Sequence, residues 1–516
     1  MKNISKFLFA AFVVLMAAAC KDDDGSPAVE EEVPEGVVTI NSKPDDDEPA
    51  LVKNEESIAT FADGILGLMV KEAARSATWL GGEYYTCKYS YVSTTADGQP
   101  VWLSGRMAWP KDGEARNIVV GCHVTVTDNA SCPSENGSFM TDCGITSAVF
   151  APSSLVVFPD YEGLGCTSGR TNPYLCYEVL ARQVVDGVVA ARDEFVNRHK
   201  GNLRDVYKTV VVGYSQGGAV AMAVQKYLEN GFTGGSPMAT DLHFSGSVCG
   251  DGPYDPMSTM KKYFSDNRMF MPVVAPLIIN GMCKSHPMLV GKYCVSDYLY
   301  ADYLNSGIMG WLDGKAMSTA EIQERLCEYS IDHSKGSGQY EVAEGEPQFA
   351  MYCQADLRPD AVVSPTDGYI QMNEYNDSQY IWRTEDGTRY APPSLMVKQE
   401  LMGFINGKSS ASDTISAFCN ALEANNLTTG WKPMNPMVAF HSVNDEVVPF
   451  VNYEKARSAF SSVDLFHGVV YDTRTIQTHQ SVGQAFFAIY LSNYANAILN
   501  GKAYTLKAEE TNEGLF

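Results

Sequence analysis

Residues 210–218 constrain the fold more than any other part of this sequence. They read Val-Val-Val-Gly-Tyr-Ser-Gln-Gly-Gly, a buried apolar strand that runs into a Gly-x-Ser-x-Gly turn, and an Ala-rich helical pattern follows. A turn this tight needs glycine on both sides of the serine, because a Cβ there would collide with neighbouring backbone. The turn predicts that Ser215 stands above a sheet edge as a nucleophile, with a helix N-terminus behind it. The alternative is an idle serine in a structural turn.

Strand and helix patterns alternate on both sides of this turn. Two β-branched and aromatic runs, 84–93 and 100–109, are joined by Ala-Asp-Gly and predict a hairpin. Short continuous apolar runs, typical of strands buried on both faces of a parallel sheet, lie at 117–122, 155–158, 206–212, 244–249, 438–440 and 469–471. Helical patterns lie at 173–195, 218–228 and 483–499. This order predicts an α/β fold with a mostly parallel central sheet flanked by helices.

Residues 254–432 lack this alternation. The stretch is rich in Tyr, Met and Phe, contains helical segments at 319–329 and 393–405, and is long enough for a small domain. We interpret it as a cap or lid inserted between two parts of one core, residues 57–253 and 433–516.

A serine nucleophile needs a histidine base, and the histidine needs a carboxylate that orients it. For a strand–Ser–helix turn of this kind, the acid and then the histidine follow the serine in the chain. Residues 438–449 form a strand that runs into a turn, and this places Asp445 just beyond the carboxyl end of the strand, where α/β sites assemble. We therefore predict Asp445 as the acid, with Asp251, after the strand at 244–249, as the rival.

His479 is the predicted base, because it follows the last apolar strand in a loop ahead of the closing helix. His467 is the weaker alternative. His441 is expected to pack beside the turn that carries Asp445. The other downstream histidines are interpreted as structural; they are His243, His286 and His333.

The oxyanion that forms during acyl transfer needs two backbone N–H donors. One is expected from Gln216, directly after the nucleophile, and the other from the loop that follows the strand at 117–122. In that loop Val124 or Thr125 is the predicted donor. The usual His-Gly of such loops reads His123-Val124 here, so the glycine is missing.

Across residues 84–499 these motifs resemble the α/β-hydrolase superfamily, and within it the secretory lipase branch. The second resemblance depends on Phe-Pro-Asp-Tyr-Glu-Gly-Leu-Gly at 158–165, Ser-Cys-Pro-Ser at 131–134, Gly-Tyr-Ser-Gln-Gly-Gly at 213–218 and the large insertion before the acid. It implies that an aspartate of the oxyanion loop helps to hold the intermediate, a role that would fall to Asp128. Asp160 and Glu162 are interpreted as hydrogen-bonding residues that hold their loop beside the site.

The N-terminus predicts export. Lys2 and Lys6 precede an apolar run at 7–16, and Ala-Ala-Ala stands immediately before Cys20. This ending resembles a bacterial lipoprotein signal, which implies that residues 1–19 are removed and Cys20 is lipidated; a plain signal peptide is the alternative. The sequence Lys-Asp-Asp-Asp after Cys20 is similar to the surface-export signal of some Gram-negative lipoproteins. We therefore expect an outer-membrane lipoprotein that faces outward, attached to the membrane only through its lipid.

Residues 20–56 are interpreted as the lipidated Cys20 and a flexible acidic stalk, because proline and acidic runs dominate and few large apolar groups occur. The whole chain has a formal net charge of -24, which becomes more negative when Lys2 and Lys6 are removed. Such a charge repels phosphate backbones, so nucleic acid is not expected as a partner.

Twelve cysteines remain besides Cys20, and an exported protein permits disulfides. The pairs close enough in sequence to test first are Cys122 with Cys132 and Cys283 with Cys294. No zinc-like Cys or His spacing occurs, so no metal site is predicted, and the proposed chemistry requires no cofactor.

These residues predict a serine hydrolase that cleaves carboxylic esters through an acyl-enzyme, with Ser215, Asp445 and His479 as the triad. The insertion would cover an acyl pocket, and the substrate would be a small-molecule, lipid or glycan acyl ester. Two alternatives stay open: an aminopeptidase-like serine peptidase on the same fold, and a surface binding protein without turnover.

Overall fold

The computed structural model describes residues 49–53, 82–136, 141–238, 240–305, 307–330, 369–373, 376–383, 390–472 and 478–513. The predicted signal peptide, Cys20 and most of the acidic stalk lie outside these residues, as does His333. Within the described ranges, no helix is long and apolar enough to cross a membrane.

A central sheet of ten described strands forms the core of the fold. The described strands are, in chain order, β1 (Ala50–Lys53), β2 (Glu83–Thr94), β3 (Pro100–Pro110), β4 (Glu114–Ala115), β5 (Ile118–Cys122), β6 (Leu155–Pro159), β7 (Asn202–Leu203), β8 (Thr209–Tyr214), β9 (Phe244–Gly250), β10 (Glu328–Ser330), β11 (Tyr369–Asn373), β12 (Asn376–Arg383), β13 (Met437–Ser442), β14 (Phe466–Asp472) and β15 (Glu509–Glu513). The central sheet has the order β1-β2-β3-β6-β5-β8-β9-β13-β14-β15. Strands β1 to β3 pair antiparallel, β3 pairs antiparallel with β6, and every pair from β6 to β15 is parallel. The prediction of a mostly parallel sheet is confirmed.

Helices cover both faces of this sheet. The described α-helices are, in chain order, α1 (Asp142–Phe150), α2 (Tyr177–Asn197), α3 (Gln216–Asn230), α4 (Pro256–Asp266), α5 (Val274–Ser285), α6 (Ala301–Leu304), α7 (Ile308–Gly314), α8 (Thr319–Cys327), α9 (Gln399–Ile405), α10 (Asp413–Ala424), α11 (Val451–Phe460), α12 (His479–Ala485) and α13 (Leu491–Leu499). Side chains of α2 and α3 belong to one buried cluster, and side chains of α1 and α13 belong to the cluster on the other face. The sheet is therefore the middle of three layers.

The apolar runs in the sequence are continuous because these strands are buried on both faces. In β8, Val211 packs in the cluster with α2 and α3, whereas its neighbours Val210 and Val212 pack in the cluster with α13. Successive side chains of a strand point to opposite faces, so a strand between two helix layers needs an apolar residue at every position.

The register of the central strands brings their carboxyl ends to one level. Tyr214 at the end of β8 pairs with Gly250 at the end of β9, and Gly250 pairs with Phe440 of β13. The residues that follow these positions therefore emerge side by side at one edge of the sheet. This edge is where a site forms in a parallel α/β sheet.

Several boundaries differ from the sequence predictions. Residues 50–53, expected within the flexible stalk, form β1 and pair with β2, so the stalk interpretation is wrong there. The strand expected at 206–212 begins only at Thr209, because Val206 is exposed in the preceding turn. The edge strand β15 was not predicted, since Glu509–Glu513 has no apolar pattern; it pairs in parallel with β14.

Three helix predictions also need correction. The helix expected at 319–329 ends at Cys327, since the next residues form β10 and pair with β12. The helix expected at 393–405 is interrupted, because Val397 forms an isolated antiparallel bridge with Leu299. The closing helix expected at 483–499 begins already at His479 and contains a π turn at Phe486–Tyr490.

The chain between β9 and β13 contains α4 to α10 and a three-stranded antiparallel sheet of β10, β12 and β11. Its interpretation as a separate cap stays a prediction. Part of it lies directly on the loop after β5: Thr127 Oγ1 donates to the Met317 carbonyl at 2.9 Å, and the Asn129 N–H donates to the Lys315 carbonyl at 2.8 Å. Cys122, Cys132, Cys283 and Cys294 are free thiols, so neither disulfide singled out for testing is present.

Candidate active site

Ser215 occupies a strained turn between β8 and α3. Its φ of 58° and ψ of -126° lie in a region that non-glycine residues rarely adopt. Such a conformation costs on the order of 1–3 kcal/mol and persists only where the surrounding structure enforces it. Here the Ser215 N–H donates to the Gly250 carbonyl of β9 at 2.9 Å, and α3 begins at the next residue. The predicted strand–Ser–helix geometry is therefore present.

Three glycines around Ser215 make this turn possible by leaving room for backbone. A Cβ on Gly213 would lie 2.2 Å from the Gly217 carbonyl oxygen, and one on Gly217 would lie 2.0 Å from the Cys122 carbonyl oxygen. A Cβ on Gly218 would lie 2.1 Å from the Gly250 carbonyl oxygen. These positions need glycine because the backbones of β5, β8, β9 and α3 approach each other too closely for any side chain.

Asp445 and His479 form a hydrogen-bonded pair. The Nδ1 of His479 lies 2.6 Å from Oδ2 of Asp445, and both residues are buried. The second oxygen, Oδ1, accepts the backbone N–H groups of Val447 and Val448 at 2.8 and 2.7 Å. The carboxylate is thus held by the turn after β13. Because Nδ1 donates to Asp445, the Nε2 atom of His479 is left to act as a base.

Two further contacts position His479 beside the nucleophile turn. Tyr214, the residue before Ser215, donates from its hydroxyl to the His479 carbonyl at 2.8 Å, and the two rings lie 4.9 Å apart. The carboxylate of Glu446 accepts the His479 backbone N–H at 2.8 and 3.0 Å. Glu446 was not predicted from the sequence, although its place directly after the predicted acid was a usable signal.

The charges around His479 favour its protonated form. Burial lowers the pKa of His479, but the negative charges of Asp445, Asp251 and Glu446 outweigh burial and raise the pKa above its usual range. Burial, together with the charge of Asp445, also raises the pKa of Glu446. This environment stabilises the imidazolium that forms when His479 accepts a proton.

The loop after β5 leaves one of the two predicted oxyanion donors available and excludes the other. The Val124 N–H donates to Oδ2 of Asp142 at 2.9 Å, so Val124 cannot serve as the donor in this arrangement. In the part of the chain that the structure describes, the Thr125 N–H has no acceptor, and the Thr125 hydroxyl lies 2.8 Å from that of Tyr174. Gln216 is the first residue of α3, whose initial N–H groups have no intrahelical acceptor. Thr125 and Gln216 therefore remain the predicted pair.

His123, directly after β5, is buried. Its ring stacks on Tyr161 at 3.8 Å, and its Nδ1 donates to the Val124 carbonyl at 2.6 Å. Its Nε2 is buried and has no hydrogen-bond partner in the described ranges. Burial lowers the pKa of His123 to about 4, because protonation would place a charge in this enclosed position.

We expect replacement of His123 by phenylalanine to reduce the acid sensitivity of the fold. Below pH about 6.5 the unfolded chain protonates this histidine, whereas the folded chain stays neutral down to about 4, so wild type loses stability as pH falls through that window. At pH 5 the protonation of His123 in the unfolded chain lowers the free energy of unfolding by about 2 kcal/mol. Urea unfolding of wild type, His123→Phe and the exposed-histidine control His243→Gln at pH 5 and 7.5 measures it. Equal losses in all three proteins would contradict the assignment.

Four other histidines in the described residues take structural positions. His467, the alternative base, lies near the start of β14, with its Nδ1 3.2 Å from the Lys507 carbonyl, whereas Asp445 follows the other end of the neighbouring strand β13. His441 packs beside the turn as expected, with its Nε2 donating to the Val448 carbonyl at 3.1 Å. The ring of His243 contacts the edge of Tyr207, and Nδ1 of His286 accepts the Met288 N–H at the end of α5.

Asp160 and Glu162 hold the loop after β6, as the sequence analysis expects. Asp160 accepts the Ser104 hydroxyl at 2.6 Å and the Ser134 N–H at 3.0 Å. Glu162 accepts Nε of Arg170 and the side-chain amide of Gln183, each at 2.8 Å.

Asp128 caps a short turn, where its Oδ1 accepts the Ser131 N–H at 2.8 Å. That contact explains the residue as a structural cap, and nothing in the geometry aims it at Ser215. The role that the resemblance implies for Asp128, to help hold the intermediate, therefore stays a prediction. The carboxylate that holds the backbone of this loop is instead that of Asp142, at the start of α1.

Asp251, the rival acid, lies close behind the Asp445–His479 pair. One ligand atom each from Asp251, Asp445 and His479 lie within 4.8 Å of one another, and within the described ranges this is the one group of three such side chains close enough to hold a metal ion. The direct bond from His479 to Asp445 explains their proximity without a metal.

Comparisons with solved structures identify the fold. The chain is similar to the rice cell wall degrading esterase LipA from Xanthomonas oryzae, with a TM-score of 0.60, 16% identity, and 90% of this chain and 98% of that chain covered. It is also similar to a hydrolase from Legionella pneumophila described as putative, with a TM-score of 0.59, 18% identity, and 88% and 98% covered. For lipase A of Candida antarctica the TM-score is 0.51, with 12% identity and 86% and 83% covered.

The chain has the α/β-hydrolase fold, so the predicted fold class is confirmed. By sequence it matches no protein-family model and no curated protein. At these identities the likeness establishes the arrangement of strands and helices, and the assignment of an activity depends on the residues at the site.

Proposed function

We propose that this protein is a serine hydrolase that cleaves carboxylic esters through an acyl-enzyme. The observation that carries the proposal is the 2.6 Å hydrogen bond between Asp445 and His479, next to the strained Ser215 turn. A buried histidine oriented by a carboxylate, with a serine in a Gly-x-Ser-x-Gly turn beside it, is the arrangement that activates a serine hydroxyl.

The reaction would proceed in two half-steps. The Ser215 oxygen attacks the ester carbonyl carbon while Nε2 of His479 takes the hydroxyl proton, and the carbonyl oxygen becomes an oxyanion held by the N–H groups of Gln216 and Thr125. Collapse of this intermediate expels the alcohol, which takes the proton from His479. Water then attacks the acyl-serine with His479 again as base, releasing the carboxylic acid and restoring the Ser215 hydroxyl.

Two of the structural neighbours are described as an esterase and a lipase, which supports esters as the substrate class. We further propose that the protein is a lipoprotein held at the outer membrane through lipidated Cys20, facing outward. The sequence around Cys20 supports this placement. Substrates would then be small-molecule, lipid or glycan acyl esters outside the cell.

The test is hydrolysis of a chain-length series of 4-nitrophenyl acyl esters by the full chain, with aminoacyl 4-nitroanilides in parallel. We expect ester turnover, with the preferred acyl length reporting the size of the pocket. A fluorophosphonate probe should add one phosphonyl group to the tryptic peptide that contains Ser215 and none in Ser215→Ala. Turnover of anilides alone would replace the esterase proposal with a peptidase, and ester turnover unaffected by the probe would reject the serine mechanism.

A further inference from the structure

Asp251 is a fully buried carboxylate whose position follows from the register of the sheet. Because Tyr214 pairs with Gly250, the residues that follow them, Ser215 and Asp251, emerge from neighbouring strands at the same level. Asp251 has a φ of 37°, another backbone conformation that is unfavourable for a residue with a side chain. Its backbone N–H donates to the Phe440 carbonyl of β13 at 2.8 Å.

The two carboxylate oxygens of Asp251 have different surroundings. Oδ1 accepts the Ser442 N–H at 2.7 Å and lies 3.4 Å from Nδ1 of His441. Oδ2 is buried and has no hydrogen-bond partner among the described residues. Burial disfavours the charged carboxylate and raises the pKa of Asp251 to about 6, so the ionised form needs positive charge nearby.

Several segments contribute titratable groups that face Asp251, and only the histidines among these groups can become cations. Those groups are His441 on β13, Asp445 on the following turn, His479 on α12, and the hydroxyls of Tyr214 and Tyr254. On its other sides His479 faces Asp445 and Glu446. A positive charge on either His441 or His479 would compensate Asp251. Of the two, only His479 takes up the serine proton in the proposed reaction, and its ring lies close enough for Asp251 to act on it, since one ligand atom each of Asp251, Asp445 and His479 lie within 4.8 Å of one another.

We infer that Asp251 is a second carboxylate of the catalytic base: a positioning residue that acts through His479, stabilising the imidazolium and sustaining part of the reaction when Asp445 is removed. The inference rests on the proposed serine hydrolase function. It assigns Asp251 a charge role that the neutral asparagine cannot perform, although asparagine has nearly the same size and keeps an acceptor for the Ser442 N–H.

Replacing Asp251 by asparagine is the test, measured as kcat and KM from pH 5 to 10 on the best 4-nitrophenyl ester. His479 must be neutral to act as a base, so activity rises as pH increases through its pKa. Loss of the Asp251 charge favours the neutral form of His479. We therefore expect the acid limb of the kcat/KM profile to move to lower pH by about one pH unit. We expect kcat at the plateau to fall about 10-fold with KM unchanged.

A second comparison uses the Asp445→Asn background. If Asp251 sustains part of the reaction there, Asp445→Asn/Asp251→Asn should be about 10-fold or more slower than Asp445→Asn alone. The matched control is Asp255→Asn, since Asp255 is a buried carboxylate nearby that caps α4 by accepting the Ser258 N–H at 3.0 Å. This control should lose stability without moving the pH profile.

The inference would be overturned if Asp251→Asn folds with a wild-type thermal midpoint and keeps the wild-type acid limb. It would equally be overturned if Asp251→Asn and Asp255→Asn change the pH profile alike. Should Asp251→Asn fail to fold, the same comparison is made with Asp251→Ser, which is smaller and retains a polar atom. Failure of the proposed function is recognised separately, because wild type would then lack ester turnover that depends on Ser215.

Discussion

Substitution of Ser215 by alanine is expected to lower kcat/KM for esters by about 10⁴-fold or more, with a folded protein of wild-type stability. The residual rate would come from the oxyanion donors and substrate binding alone, because no oxygen nucleophile remains on the enzyme. The backbone strain at residue 215 remains in this variant, since alanine also has a Cβ in the same backbone conformation. Steady-state hydrolysis of the preferred 4-nitrophenyl ester measures the loss.

His479→Ala should have an effect of similar size, and the double variant should be little worse than either single one. Groups that act as one unit in catalysis give strongly non-additive losses, because each is ineffective without the other. The control is Ser481→Ala, two residues from His479 in α12, whose hydroxyl donates to the Thr478 carbonyl at 2.9 Å. Ser481→Ala should keep nearly all activity. If the loss of activity in the double variant equalled the product of the two single losses, Ser215 and His479 would not share one role.

Substitution of Gly217 by alanine is expected to destabilise the fold by about 3 kcal/mol or more, or to prevent folding. The added Cβ would lie 2.0 Å from the Cys122 carbonyl oxygen and 2.8 Å from that of His123. Both are backbone atoms at the end of a buried strand, so neither can move aside as a flexible side chain could. Urea unfolding of the purified full chain, or the soluble yield if none folds, measures the effect.

The matched control is Gly310→Ala in α7, where a Cβ would meet no atom within 4 Å. This change should be neutral or stabilise the protein by up to about 1 kcal/mol, because alanine restricts the unfolded chain and favours helix. If Gly217→Ala is as stable as Gly310→Ala, the close approach of α3 to the end of β5 does not exist in the protein. A folded Gly217→Ala variant with reduced kcat would instead indicate that the end of β5 moved and displaced the oxyanion loop.

The sequence alone was sufficient to predict the layers and the turn around Ser215. Strands buried on two faces need apolar residues at every position, and the turn needs glycines at 213 and 217, so both features are written locally in the residues. The choice of Asp445 and His479 followed from their order after Ser215 and from their places behind strands. The structure brings these two side chains into contact.

Other features depended on which distant segments meet. The order of strands in the sheet brings Asp251 to the level of Ser215, and the turn after β13 carries Glu446 to the backbone of His479. Contact with Asp142 of α1 occupies the N–H of Val124, one of the two oxyanion donors predicted in that loop. The edge strands β1 and β15 join the sheet through backbone pairing that their side chains do not signal.

Local features could be predicted from the sequence and contacts between distant segments could not, for a physical reason. Burial pattern and steric space act on neighbours along the chain, and therefore leave a periodicity or a glycine in the sequence. Hydrogen bonds and charge interactions between segments far apart in the chain act only after folding has set strand order and register. The sequence by itself therefore determined the layered fold and the candidate nucleophile, whereas the tertiary structure decided which carboxylates face His479 and which backbone N–H groups remain available beside Ser215.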